Sequence, residues 1–166
     1  TVATTFYNLT TNNTSTTLNI NTTVKNVLTL TNGFIELNQK ILIIDNSSPT
    51  AITRTNGYIN SSTLDKNYNS KVQWNIGISA TGEYIYPFGK NALTYIPFKL
   101  NVTTAGVGNV SVSTYPTGGT DASGVYSNKP NIVTNLNSPL YPDPPAPGNA
   151  INIVRRFWYI NKSGGS

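Results

Sequence analysis

Hydrophobic and polar positions alternate most cleanly between Lys71 and Val102. In Lys71–Gly77, Val72, Trp74 and Ile76 fall on one face and Lys71, Gln73 and Asn75 on the other. Tyr84, Tyr86 and Phe88 share a face in the next run, and Ile96, Phe98, Leu100 and Val102 in the one after. A period of two marks a strand with one buried face. Ala80-Thr81-Gly82 and Gly89-Lys90-Asn91 separate the runs as turns. The pattern predicts three consecutive antiparallel strands with an aromatic inner face.

Upstream, short apolar pulses sit in a Thr- and Asn-rich background. They are centred on Leu9, on Leu18 and Ile20, on Val24–Leu30, on Phe34–Leu37 and on Ile41–Ile44. They recur roughly every eight to ten residues, a spacing that fits a meander or the rungs of a β-solenoid. Asn12-Asn13, Asn32-Gly33 and Asn38-Gln39-Lys40 read as turns between them. Leu28–Leu37, with Asn32-Gly33 at its middle, carries the best local hairpin signal. Asp45–Pro49 is the softest internal boundary, and Ala51–Ile59 reads as a strand broken at Asn56-Gly57.

Downstream, Asn109–Tyr115 predicts a strand with Val110 and Val112 inward. Residues 117–129 are rich in Gly and Ser and read as a loop that brings Tyr126 to the surface. The segment SPLYPDPPAP holds five prolines, which cannot donate to a ladder, so it reads as an extended connection. In Ala150–Ile160 both faces turn apolar near the end, as in a strand covered on both sides.

The fold expectation is therefore all-β with almost no helix. Residues 1–48 form short solenoid- or meander-like strand repeats, and residues 49–166 an antiparallel β-sandwich. Composition agrees, because the chain has 37% hydrophobic and only 10% charged residues, and Asn, Thr and Ser fill the difference. The chain has 13 Gly, 10 Pro, no Cys, no Met and no His. There is accordingly no disulfide, no thiolate nucleophile, and none of the commonest general base or metal ligand. No apolar run is long enough for a membrane-spanning helix. Net charge is +5, but the basic residues are scattered and only Arg155-Arg156 are adjacent, so no nucleic-acid footprint emerges.

Candidate chemistry is sparse. The 6 acids are Glu36, Asp45, Asp65, Glu83, Asp121 and Asp143. Glu83 lies among aromatics and would need Asp121 or Asp143 across a cleft to form a glycosidase pair. Asp65-Lys66-Asn67-Tyr68-Asn69 has alternating oxygen ligands, but Ser70 replaces the glycine of a calcium loop and Ile76 its closing acid. Neither reading yields a catalytic residue, metal site or cofactor. Sugar binding has better material, since saccharide rings stack on flat aromatic faces and pair with amides. Tyr95 lies opposite Ile96 and Phe98 on its run, and Tyr126 and Tyr141 are carried by loops, so these three are the candidate ligand-binding residues. Sequons recur, for example at Asn8, Asn21, Asn101 and Asn109.

Five fragments, VQWNIG from Val72, GEYIYPFG from Gly82, YIPF from Tyr95, GNVSV from Gly108 and RFWYI from Arg156, resemble in their order a module of large exported surface proteins of Bacteroidetes. LTLTNGFIELNQKILIIDNSSPTAITRTNGYI is similar to the strand repeats that precede that module. The resemblance implies a secreted, extracellular or cell-surface location through type IX secretion, with the sorting domain elsewhere in the parent protein. It supplies no catalytic residue. It implies an adhesin-like, non-catalytic structural role, with neighbouring modules or copies of the chain as partners. The alternative is a carbohydrate-binding module that takes surface glycans through its tyrosines.

Overall fold

The computed structural model describes residues 3–62, 69–91, 94–116 and 156–165. Among these residues the chain is all-β, in mixed sheets that do not close. It first winds through stacked rungs. One layer holds β1 (Thr4–Phe6), β3 (Thr22–Val24), β5 (Ile41–Ile44) and β8 (Lys71–Gly77), every neighbouring pair parallel. The other layer holds β2 (Leu9–Thr17), β4 (Leu28–Glu36), β6 (Ile52–Arg54) and β7 (Tyr58–Asn60), again in parallel register. A parallel pair needs a crossover, and here the crossover is the strand in the opposite layer.

Parallel register stacks like on like. Phe6, Val24, Ile44 and Trp74 are successive partners across the first layer. Val24, Ile44 and Trp74 are fully buried, whereas Phe6, on the outermost rung, is 39% exposed. In the second layer Leu28 and Leu30 point inward before Gly33, and Ile35 and Leu37 after it. Each such side chain contributes about 1.5–3 kcal/mol by leaving water. The apolar pulses of the N-terminal third are therefore one inward-facing column set.

The predicted hairpin at Asn32-Gly33 does not form, and β4 runs unbroken through it. Gly33 instead bends the strand with φ +67°, and a Cβ there would run into the Asn13 carbonyl oxygen of the rung above. The register of β2 against β4 shifts at this level, between Asn12 and Ser15. In the third rung the break between β6 and β7 falls at Asn56-Gly57. The positive φ that a hairpin needs at glycine serves equally for a bulge. A parallel neighbour on each side of β4 leaves no edge for a local hairpin.

The three-strand antiparallel meander expected over Lys71–Val102 is also replaced. β8 does not pair with β9 (Gly82–Tyr86), because its two edges are taken by β5 and by β13 (Gly108–Pro116). Only β9 and β12 (Phe98–Val102) pair antiparallel as neighbours within that stretch, beside the short hairpin of β10 (Gly89–Asn91) and β11 (Thr94–Tyr95). These pairings share a single path. Gly89 lies opposite Tyr95, Tyr86 opposite Phe98, Gly82 opposite Val102, and Val72 opposite Val112. The chain thus lays down β8, β9 and β10 and then retraces them backwards as β11, β12 and β13. One-residue shifts, at Gly89/Asn91 and Gly108/Asn109, accommodate the bends. A parallel bridge from Ile59 to Phe88 ties this doubled rung to β7. β14 (Arg156–Ser163) adds antiparallel to β13 and ends the first layer.

The aromatic stripe is the core of this doubled rung. Trp74, Tyr84, Tyr86 and Phe88 are fully buried. Trp74 meets Tyr84 and Tyr86 edge-on at 5.1 and 5.4 Å, across the layers rather than along a sheet. Their polar atoms find main-chain acceptors. Trp74 Nε1 donates to Asn46 O at 2.8 Å, Tyr84 Oη to Ser47 O at 2.7 Å and Tyr86 Oη to Val110 O at 3.0 Å. From the last strand Trp158 reaches Phe88 and Phe98, and Phe157 packs on Tyr115. β14 is not covered on both faces, since Trp158 is 36% and Ile160 53% exposed. The hydrophobic core is one cluster, and it draws on residues from both sides of the Asp45–Pro49 turn.

Two glycines separate bend from clash. Gly33→Ala combines left-handed strain of about 1–2 kcal/mol with a main-chain collision and is expected to cost clearly more than that strain. Gly77→Ala has a similar φ of +78° and open space around it, so it is expected to cost the strain alone. Denaturant midpoints of the two variants check the difference. A second expectation concerns pH. Burial pushes the Tyr86 phenol far above its ordinary value of 10.0, with the charge of Tyr84 adding to the effect. The unfolded phenol therefore loses its proton first. Stability from this group is complete below about pH 10 and falls as pH rises beyond it, by up to ~1.4 kcal/mol per pH unit. Tyr86→Phe is expected to flatten the alkaline limb of a stability-against-pH curve while lowering its plateau, through loss of the bond to Val110.

Candidate interaction surface

The outer corners of the stack carry asparagines at repeating levels. On the corner after the first layer, Asn26 Nδ2 donates to Asn8 Oδ1 at 2.9 Å, and Asn46 Nδ2 donates to Asn26 O at 2.8 Å. On the bend of the second layer, Asn32 Nδ2 donates to Asn12 Oδ1 at 2.7 Å, and Asn56 Nδ2 to Asn32 Oδ1 at 3.4 Å. On the return corner, Asn38 Nδ2 reaches Leu18 O at 3.3 Å, and Asn60 Nδ2 reaches Glu36 Oε2 at 2.7 Å. A side-chain amide both donates and accepts, so a column of them satisfies corner after corner where the strand ladder is interrupted. Thr53 and Thr29 continue the pattern on the outer face, 3.2 Å apart.

These columns are absent from the sequence pattern, where Asn12, Asn32, Asn38, Asn46 and Asn56 read as turns or breaks and Asn8 only as a sequon. The signal was present as spacing. Partners in the columns stand 18, 20 or 24 residues apart, and each lies beside an apolar pulse. Unequal loop lengths between rungs hide that repeat from a fixed-period search.

Tyr95 lies on β11 and is 38% exposed. The Arg54 guanidinium covers one face of its ring, 3.8 Å from the centroid. Arg54 is itself held by Gly57 O and Asn56 O at 2.6 and 3.2 Å. The ring is thus a cation–π partner that ties the hairpin to the third rung. Tyr126 and Tyr141, the other two ligand-binding candidates, lie outside the described residues, and so does the proline-rich segment.

Glu83 is an exposed acid on β9 and pairs with Lys99 across the strand pair at 3.3 Å. At such exposure the pair contributes about 0–1 kcal/mol. Asp121 and Asp143, its postulated partners, lie outside the described residues, as does Asp65 of the calcium-like run. Asp45 accepts from Asn75 Nδ2 at 2.9 Å and faces Lys25 at 3.9 Å. Arg156 on β14 is half-buried. Burial lowers its pKa, and it donates to Thr114 Oγ1 and Ser62 Oγ at 3.0 and 2.9 Å. It stays charged at neutral pH and ties β14 to the segment after β7. No helix among the described residues is long and apolar enough to cross a membrane.

The columns can be tested directly. Asn32 both donates and accepts, so Asn32→Ala is expected to destabilise by about 1–2 kcal/mol. Asn19→Ala, at an exposed position outside the columns, is expected to stay within about 0.5 kcal/mol. Urea unfolding of both variants gives the comparison.

Comparison with protein-family models, with curated proteins and with solved structures finds no match for this chain.

Proposed function

We propose that the chain is a non-catalytic structural or adhesive module of an exported bacterial surface protein. One observation carries the reading. The central aromatic stripe and the corner asparagines, groups of the kind a sugar platform would display, are spent on joining rungs to one another. Trp74, Tyr84, Tyr86 and Phe88 are interior, the corner amides bond to each other, and Tyr95 has a guanidinium on one face. Among the described residues the outer surface is rich in hydroxyls and amides and carries few charges, with Tyr7, Trp158 and Ile160 among its exposed apolar side chains. Such a scaffold suits a spacer or adhesive stalk in which stability adds rung by rung. The Bacteroidetes resemblance supports the same location and the type IX route. Glu83, the acid with the best catalytic prospects, is exposed and paired with a lysine.

Deleting this module from its parent protein is expected to leave export intact and to reduce cell attachment or fibre formation, read by surface labelling and adhesion counts. Unchanged attachment together with a polysaccharide-cleaving activity of the purified chain would overturn the proposal. The carbohydrate-binding alternative predicts glycan-array signal that Tyr95→Ala, Tyr126→Ala and Tyr141→Ala abolish. The structural reading predicts no such dependence on Tyr95.

A further inference from the structure

We infer that the outer edge of the first rung, β1 with β2, is a docking edge for one further parallel rung of the same design. Its partner is an uncharged strand–asparagine–strand segment that lays amide oxygens over Asn8 and Asn12. Among the described residues nothing pairs with that edge. Three independent features point to this occupant.

The first is hydrogen-bond polarity. In the asparagine columns each Nδ2 donates toward the preceding rung, from Asn46 to Asn26 to Asn8 and from Asn56 to Asn32 to Asn12. Asn8 and Asn12 use their Oδ1 atoms as acceptors, and by the same polarity their Nδ2 groups face out of the edge. The matching surface presents carbonyl oxygens at the same two levels. A second copy docked edge to edge about a two-fold axis would run antiparallel and set donors against donors.

The second is the open apolar column. Phe6 continues the line of Val24, Ile44 and Trp74, yet it is 39% exposed, and Tyr7 beside it is 70% exposed. A further rung would cover Phe6 as β3 is covered by β1. The third is the absence of charge and proline from this edge, although β1 is only 3 residues long. Natural sheets blunt free edges with charge, proline, bulges or short strands. Here the second-layer edge strand is 9 residues long, the first charge in the chain is Lys25 and the first proline is Pro49. A bulge interrupts β2 only at its middle.

The inference deepens the scaffold reading and rests on it only for the partner's origin. Its test uses the purified chain, so failure here leaves the surface-module reading to its own cellular assay. Residues 4–21 would be duplicated in tandem ahead of Thr22, a step equal to the 18-residue separation of Asn8 and Asn26. The expected result is a monomer whose unfolding constant is lower by on the order of tenfold or more, since each added rung brings its own interface. Asn8→Ala with Asn12→Ala in the inner copy alone is expected to cost about fivefold or more beyond the cost of the same pair in the original chain, where these amides already accept from Asn26 and Asn32. As a measurement that needs no new fold, a peptide of residues 3–21 would be titrated into the full chain and followed by NMR. Shifts confined to β1, β2 and the Asn8 and Asn12 side-chain amides are expected. An unchanged unfolding constant with no peptide-induced shift, an equal gain in the alanine version, or dimerisation of the original chain through this edge would each overturn the inference.

Discussion

Parallel, in-register stacking is the constraint on which the rest of this structure depends. When Phe6, Val24, Ile44 and Trp74 are successive partners, every position inherits the environment of the position below it. Inward positions must then be apolar in rung after rung, and corners must offer groups that bond to copies of themselves. Asparagine meets the second demand because one side chain supplies both a donor and an acceptor. The composition follows from this geometry. Asn and Thr serve the corners and outer faces, and a few charges suffice where amides already satisfy one another.

The stack is closed at one end by a change of direction. After three parallel steps the chain lays a fourth rung and retraces it, so β8, β9 and β10 meet β13, β12 and β11 in antiparallel order. A retraced rung presents strands of opposite polarity to whatever follows, which ends the like-on-like repeat. The interior at this end is filled by Trp74, Tyr84, Tyr86 and Phe88, whose hydroxyls and indole N–H reach main-chain oxygens at 2.7–3.0 Å. Large rings with polar tips fit there, since they bury area and still bond to the main-chain carbonyls they touch. The opposite end keeps the repeat polarity, and its outermost rung has no charged residue.

Several local readings of the sequence hold in the structure. The inward faces of Val72-Trp74-Ile76 and of Tyr84-Tyr86-Phe88 are buried, and β13 turns Val110 and Val112 inward. The break at Asn56-Gly57 falls between β6 and β7. Pairing was less legible. Asn32-Gly33 has the residues of a hairpin turn, yet it forms a bend stacked on Asn12-Asn13. The candidate site was legible only as a list of exposed residue types. Tyr95 is at the surface as its alternation implies, but nothing local to it indicates that Arg54, far away in sequence, lies on its ring.

The sequence by itself determined the strand character of the chain, the inner face of the central strands and the absence of His and Cys side chains. Those properties belong to single residues or to a period of two within one strand, and a strand shows that period whatever lies beside it. Only the tertiary structure decided which strands are neighbours, whether they run parallel or antiparallel, and which asparagines meet. Backbone hydrogen bonds between strands carry no side-chain label, so pairing is set by how the rungs bury one shared core. That is a property of the whole fold and of no segment in it.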